Sequence, residues 1–298
     1  MIFPPKTIPF RLHLLFLLLS CLLGLMPAAS LHAASLSTPA AKVSDVTVLP
    51  PALGEVVYQK NAASPFQVYI VVNSHRSCAT GANGAVTVQA QAETFRIGEW
   101  LIRKKKVDLL LPEGFFGREK GVRIADGEEH RLDSEALGEK LSDTTTFVNA
   151  DLLLHQIYGI GLHQVEDPEL YSHARKFLRA GLQDAAWLSP CYNEKLQYLQ
   201  ARRLAAILQN TPTAIETEYR QGSITSRKAM LTIGMAHLAD IIKYLDAGEI
   251  RIPAPPGGVG GFQPFSGELE LLKKKIGVTV IVPPVLIQSG KRLRMASL

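Results

Sequence analysis

Cysteine is scarce in this chain, at 3 of 298 residues. Only Cys78 and Cys191 follow the amino-terminal leader described below. Two cysteines do not make a disulfide framework, and their spacing is not that of a zinc site. In an oxidising compartment they have the option of pairing. Strong charge of one sign is also lacking. The net charge is +5, and it falls to +3 without Lys6 and Arg11 of the leader. That is not the footprint of a nucleic-acid binder, and no nucleic-acid partner is expected. The motifs H-E-x-x-H and G-x-S-x-G are absent, which removes the simplest zinc-peptidase and serine-hydrolase readings. Gly257–Gly261 is glycine-dense but lacks the Lys-Ser/Thr of a phosphate loop; it reads as a rim or lid. After the leader no stretch is long and apolar enough to span a bilayer.

The leader itself has basic, apolar and small-residue zones in order. Lys6 and Arg11 come first, with no acid before Ser35. Leu12–Met26 is apolar for about fifteen residues, short of the ~20 that a membrane span needs. Pro27, Ala28, Ala29, Ala33 and Ala34 follow. This is a secretory signal over residues 1–34, cleaved near Ala34. Leu18–Cys21 resembles a lipobox, so a lipid anchor is the other route to a membrane. The expected location is periplasmic or secreted, in a bacterial cell envelope.

Residues 35–65, rich in Ala, Pro, Ser and Thr, read as a linker or N-terminal arm. Residues 66–285 then alternate strands with helices, and 286–298 are a tail. The strands are Gln67–Asn73, Val107–Leu111, Gly159–Val165, Lys228–Gly234 and Gly277–Val282. Helical spacing covers Ala85–Lys105, Asn149–Tyr158, Pro168–Gly181, Glu194–Leu208, Ala214–Gln221, His237–Asp246 and Glu268–Lys275, with a short helix at Ser134–Leu141. Strands that are apolar throughout and alternate with helices imply a largely parallel sheet covered on both faces. The expectation is a single three-layer α/β domain. The triplets Lys104–Lys106 and Lys273–Lys275 each close a helical pattern before a strand and read as solvated helix ends.

In open parallel sheets, ligands bind beyond the carboxyl ends of the strands. Here those ends carry His75, Glu113, Glu166 with Asp167, and His237. Two imidazoles among carboxylates suit either a divalent metal that activates water or metal-free acid/base chemistry, and spacing leaves both open. His155, His163, His173 and His130 are weaker candidates. Cys78, three residues after His75, is a minor candidate nucleophile.

Three segments carry a family resemblance: Val68–Arg76 (VYIVVNSHR), Val107–Gly117 (VDLLLPEGFFG) and Leu231–Leu245 (LTIGMAHLADIIKYL). With the helical Arg202–Ile207 (RRLAAI), they resemble the superfamily of TraB/PrgY proteins, Tiki proteases, erythromycin-esterase-like enzymes and ChaN-like haem-binding proteins. The first G-x-x-H of that pattern is altered, with Val72 in place of glycine; the second, Gly234–His237, is intact. The resemblance implies an α/β core with His75, Glu113 and His237 in the site, as metal ligands or water activators. Glu166 would assist, and Arg203 or Arg202 would stabilise negative charge. It implies a hydrolase acting on a peptide or small molecule or, alternatively, a non-catalytic envelope protein that binds haem or another ligand.

Overall fold

The apolar runs become the centre of the sheet. In the computed structural model, which describes residues 48–74, 83–117, 123–124, 147–183, 189–255 and 262–296, ten strands form. The main strands are β1 (Glu55–Lys60), β2 (Gln67–Asn73), β3 (Leu109–Pro112), β6 (Gly161–Leu162), β7 (Lys228–Gly234) and β10 (Gly277–Val282). They make one six-stranded sheet in the order β1-β10-β2-β7-β3-β6. Every pairing is parallel except β1 with β10. Two small antiparallel pairs lie outside it: β4 (Phe115–Phe116) with β5 (Arg123–Ile124), and β8 (Glu249–Ile252) with β9 (Phe265–Glu268).

Helices cover both faces, as a parallel sheet requires. They are α1 (Ala85–Trp100), α2 (Ala150–Tyr158), α3 (Pro168–Gln183), α4 (Pro190–Arg220), α5 (Leu238–Ala247), α6 (Glu270–Lys273) and α7 (Pro284–Ala296). Alternate strand residues feed two cores. Tyr69, Val71, Leu110 and Met230 pack with Phe95 and Ile97 of α1 and Leu153 and Leu154 of α2. Val68, Ile70, Leu109, Leu111 and Leu231 pack with Leu204, Ile207 and Leu208 of α4, Ile241 of α5 and Leu271 of α6. Each fully buried aliphatic side chain of this kind stabilises the fold by about 1.5–3 kcal/mol. The chain is therefore the expected three-layer α/β structure.

Contacts group the chain into one compact unit, Val48–Ile287, and a second made of residues 1–47 and 288–298. Only the helical residues 288–296 of the second are described. The leader, its cleavage point, Cys21, Cys78, His130, the expected helix at Ser134–Leu141 and Gly257–Gly261 lie outside the described residues. Among the described residues no helix is long and apolar enough to cross a membrane.

Several local features differ from expectation. The arm joins the sheet through β1, whose side chains are largely exposed. The third strand narrows to Gly161–Leu162, with one further ladder bond from the His163 amide to the Leu110 carbonyl at 3.0 Å. The two helices expected at 194–208 and 214–221 are one 31-residue helix, α4, that runs through Pro212. Proline removes one amide donor there, and the Thr211 hydroxyl donates to the Ile207 carbonyl at 2.8 Å. Residues 284–296, which overlap the expected tail, are helical, and Val285 and Leu286 are buried.

Candidate functional site

Parallel register brings the carboxyl ends of β3 and β7 together. Pro112 lies opposite Thr232, and the Glu113 amide continues the ladder to the Thr232 carbonyl at 2.9 Å. The chain then turns at Gly114, whose φ of 76° favours glycine. β7 ends at Gly234 and passes through a 3₁₀ turn, Met235–His237, into α5. Two neighbouring strand ends thus deliver Glu113 and His237 to one place.

Glu113 is held from three sides. Its Oε2 accepts from the Gly234 amide at 2.7 Å. Its Oε1 accepts from Arg203 Nη2 at 3.1 Å and lies 3.5 Å from His237 Nε2. The Glu113, Arg203 and His237 side chains are each only 9% exposed. Arg203 comes from the middle of α4 and binds Glu166 in parallel, Nε to Oε1 at 3.0 Å and Nη2 to Oε2 at 2.9 Å. Its Nη1 donates to Gln200 Oε1 at 2.6 Å, and its guanidinium lies over the Tyr171 ring at 5.0 Å. These bonds commit four of the five guanidinium N–H groups.

Two carboxylates therefore share one guanidinium. With His237 neutral, these four side chains carry a formal charge of −1. Burial pushes the Glu166 carboxyl above its ordinary range; Arg203 pulls it back, and the charge of Glu113 adds to the rise. Burial also works against the charge of Arg203, but Glu166 and Glu113 outweigh it and hold the guanidinium pKa above its usual value. A residual negative charge favours a cation next to Glu113.

Of the five expected site residues, the structure brings Glu113, Glu166, Arg203 and His237 together. His75 lies outside the described residues. Arg202 is turned away, with its guanidinium over the Phe265 ring at 4.2 Å. Asp167 caps α3 by accepting from the Glu169 and Leu170 amides, each at 2.9 Å. Val72, which stands where the family pattern has glycine, is a fully buried core residue paired with Ile233. The weaker histidines have local partners: His155 Nδ1 with the Ile160 carbonyl and His163 Nδ1 with Glu218, each at 2.6 Å, and His173 beside Phe262. Cys191 is an exposed free thiol.

The structure adds residues that the sequence reading missed. Gln200 and Tyr171 complete the shell around Arg203; Gln200 lies three residues before it on α4, a spacing that puts both on one helix face. On the other face of the sheet, the Thr232 hydroxyl donates to buried Asp151 at 2.8 Å. Asp151 lies in the first turn of α2 and carries no sequence signal beyond that of a helix-start acid. Among the described residues no three His, Cys, Asp or Glu side chains converge to hold a metal ion. Glu113 and His237 are two of the three expected ligands. Arg203 already fills the space between the carboxylates.

Fold and site define the class: an α/β protein with a six-stranded, mostly parallel sheet and a carboxylate–guanidinium–imidazole cluster at its carboxyl edge. No family model, no curated protein and no solved structure matches the chain.

Proposed function

We propose that the protein is an exported hydrolase in which Glu113 and His237 activate water, with a peptide or a small ester or amide as substrate. The observation that carries this reading is the 3.5 Å approach of His237 Nε2 to the buried Glu113 Oε1 at the carboxyl edge of the sheet. His237 donates Nε2–H toward Glu113, and its other ring nitrogen takes a proton from water as the water oxygen attacks the substrate carbonyl. The same proton passes to the leaving group when the carbon–heteroatom bond breaks. Glu113 stabilises the imidazolium that forms in between. Arg203 and Glu166 act as positioning residues, since most of the guanidinium donors are committed to the protein. His75 is the second imidazole of this reading, on the strength of the sequence pattern.

A divalent metal on His75, Glu113 and His237 is the second reading, favoured by the residual negative charge of the cluster. The test is a screen of ester and peptide substrates with the mature protein, run with and without chelator, on the parent and on Glu113→Gln and His237→Ala. The water-activation reading expects hydrolysis that survives chelation and falls at least a hundredfold in both variants. Loss on chelation selects the metal reading. Full activity in both variants removes both. A haem absorbance band in the purified protein would instead select the haem-binding alternative.

A further inference from the structure

The two lysine triplets have different surroundings. Lys273 Nζ lies 2.6 Å from Glu268 and 3.7 Å from Glu270, and Lys274 Nζ lies 3.5 Å from Glu270. Among the described residues, Lys104, Lys105, Lys106 and Lys228 have no such carboxylate. Two of the nearby acids are neutralised by arginines, and the third, Asp108, accepts from the neutral Thr225 and Ser226 and sets one negative charge against the four lysines. Glu99 pairs with Arg103, and Glu216 pairs with Arg220 and Arg227.

The fold concentrates these uncompensated cations. α1 continues into a π-helical turn, Leu101–Lys105, and the chain then enters β3 beside the start of β7. There Lys228 Nζ donates to the Lys105 carbonyl at 3.0 Å. Partial burial and the charge of Lys228 hold the Lys105 ammonium below its ordinary value. An anion docked here would relieve that repulsion.

Trp100 and Tyr158 border this surface, half-buried against the core. Lys105 Nζ lies over the Trp100 ring at 5.5 Å, and Arg103 reaches the Tyr158 hydroxyl at 3.1 Å. Ile157, beside Tyr158 on α2, is 40% exposed. Lysines that attract acidic headgroups, mixed with Trp, Tyr and Ile, match the composition of a bilayer interface. The modest net charge of the chain argues against nucleic acid, and the location expected from the leader, a bacterial cell envelope, is one bounded by phospholipid.

We propose that this surface docks on an anionic phospholipid bilayer. The exposed Lys104 and Lys106 face the headgroups, the half-buried Lys105 and Lys228 add their charge from behind, and Ile157 reaches the interface. The surface lies at the amino ends of β3 and β7, whereas Glu113 and His237 lie at their carboxyl ends. The seven residues of β7 separate the two by roughly 23 Å, so a docked molecule turns its cluster toward the aqueous side.

The test is co-sedimentation of the mature protein with phosphatidylcholine vesicles, with and without phosphatidylglycerol. Binding is expected only to the anionic vesicles and is expected to weaken with salt. Each lysine contributes about fivefold, so Lys104→Ala/Lys106→Ala lowers partitioning about 25-fold. Lys273→Ala/Lys274→Ala, at the paired triplet, changes it less than about twofold. These variants are at the surface, and circular dichroism checks that each is folded. The proposal is overturned by no binding to anionic vesicles, by equal binding to neutral ones, by equal loss in the two double variants, or by retention of a DNA duplex without binding of vesicles.

Discussion

Arg203 and Glu166 meet as a two-pronged pair, Nε to Oε1 and Nη2 to Oε2, with the Glu166 side chain wholly buried. The fork fixes the guanidinium plane, and that plane decides where the remaining Nη2 hydrogen meets Glu113. Removing one member strands a charge away from water. Arg203→Met is expected to cost about 3–5 kcal/mol in urea unfolding. Arg203→Lys keeps the charge but loses the parallel geometry and should recover only part of that stability. A loss below about 1 kcal/mol for Arg203→Met would mean that Arg203 does not hold the two carboxylates.

The same crowding sets a pH dependence. Burial raises the Glu166 carboxyl above its ordinary 4.5, with Glu113 adding to the rise. The folded protein then binds this proton more tightly than the unfolded chain does. Its contribution to stability is fully present below the unfolded pKa and is lost as pH rises through the folded pKa. Glu166→Gln does not ionise and should lack that decline. Urea midpoints compared from acid to neutral pH check it; parallel curves for the two proteins would contradict the upward shift.

Glu113→Gln separates charge from shape. The amide keeps an oxygen for the Gly234 N–H and nearly the same volume, but its NH2 then faces Arg203 Nη2 in place of an acceptor. The variant should therefore fold with a stability loss of about 1–3 kcal/mol, while any hydrolytic kcat drops at least a hundredfold. If stability collapses along with kcat, Glu113 is a structural carboxylate rather than a chemical one.

Gly98 on α1 lets that helix close on α2: a Cβ there would meet Leu154 Cδ1 at 2.3 Å and Met230 Sδ at 3.2 Å. Both neighbours are fully buried. Gly98→Ala is expected to destabilise by about 1–3 kcal/mol, despite the better helix propensity of alanine. Thermal unfolding reads this directly; a stabilised variant would show that the α1–α2 interface has room to spare.

How far the fold could be read from residues depended on burial. Gln67–Asn73, Lys228–Gly234 and Gly277–Val282 were legible to the residue because both of their faces are covered, leaving unbroken apolar runs. β1 was not, because its exposed side chains have no such run. The β8–β9 pair escaped as two four-residue strands beside a Pro/Gly-rich segment. Pro212 lies inside α4 although proline disfavours a helix interior, and the packing of α4 on the sheet overrides that local signal. Glu113 and His237 each follow an apolar strand in the sequence, and parallel topology forces those strand ends together. The Arg203 clamp was less legible: choosing Arg203 over Arg202 needs the rotation of α4, which a pair of adjacent arginines does not reveal.

β1 has one more consequence. It lies at the border of the sheet, antiparallel to β10, and runs from Glu55 to Lys60 with an irregularity between Val56 and Tyr58. The strand behind it, Gly277–Val282, is buried along its whole length. β1 is thus a charged, kinked selvedge sewn over an apolar strand that would otherwise be free to pair with a neighbouring molecule. A form of the protein trimmed past Lys60 would present that bare strand, and self-association would follow.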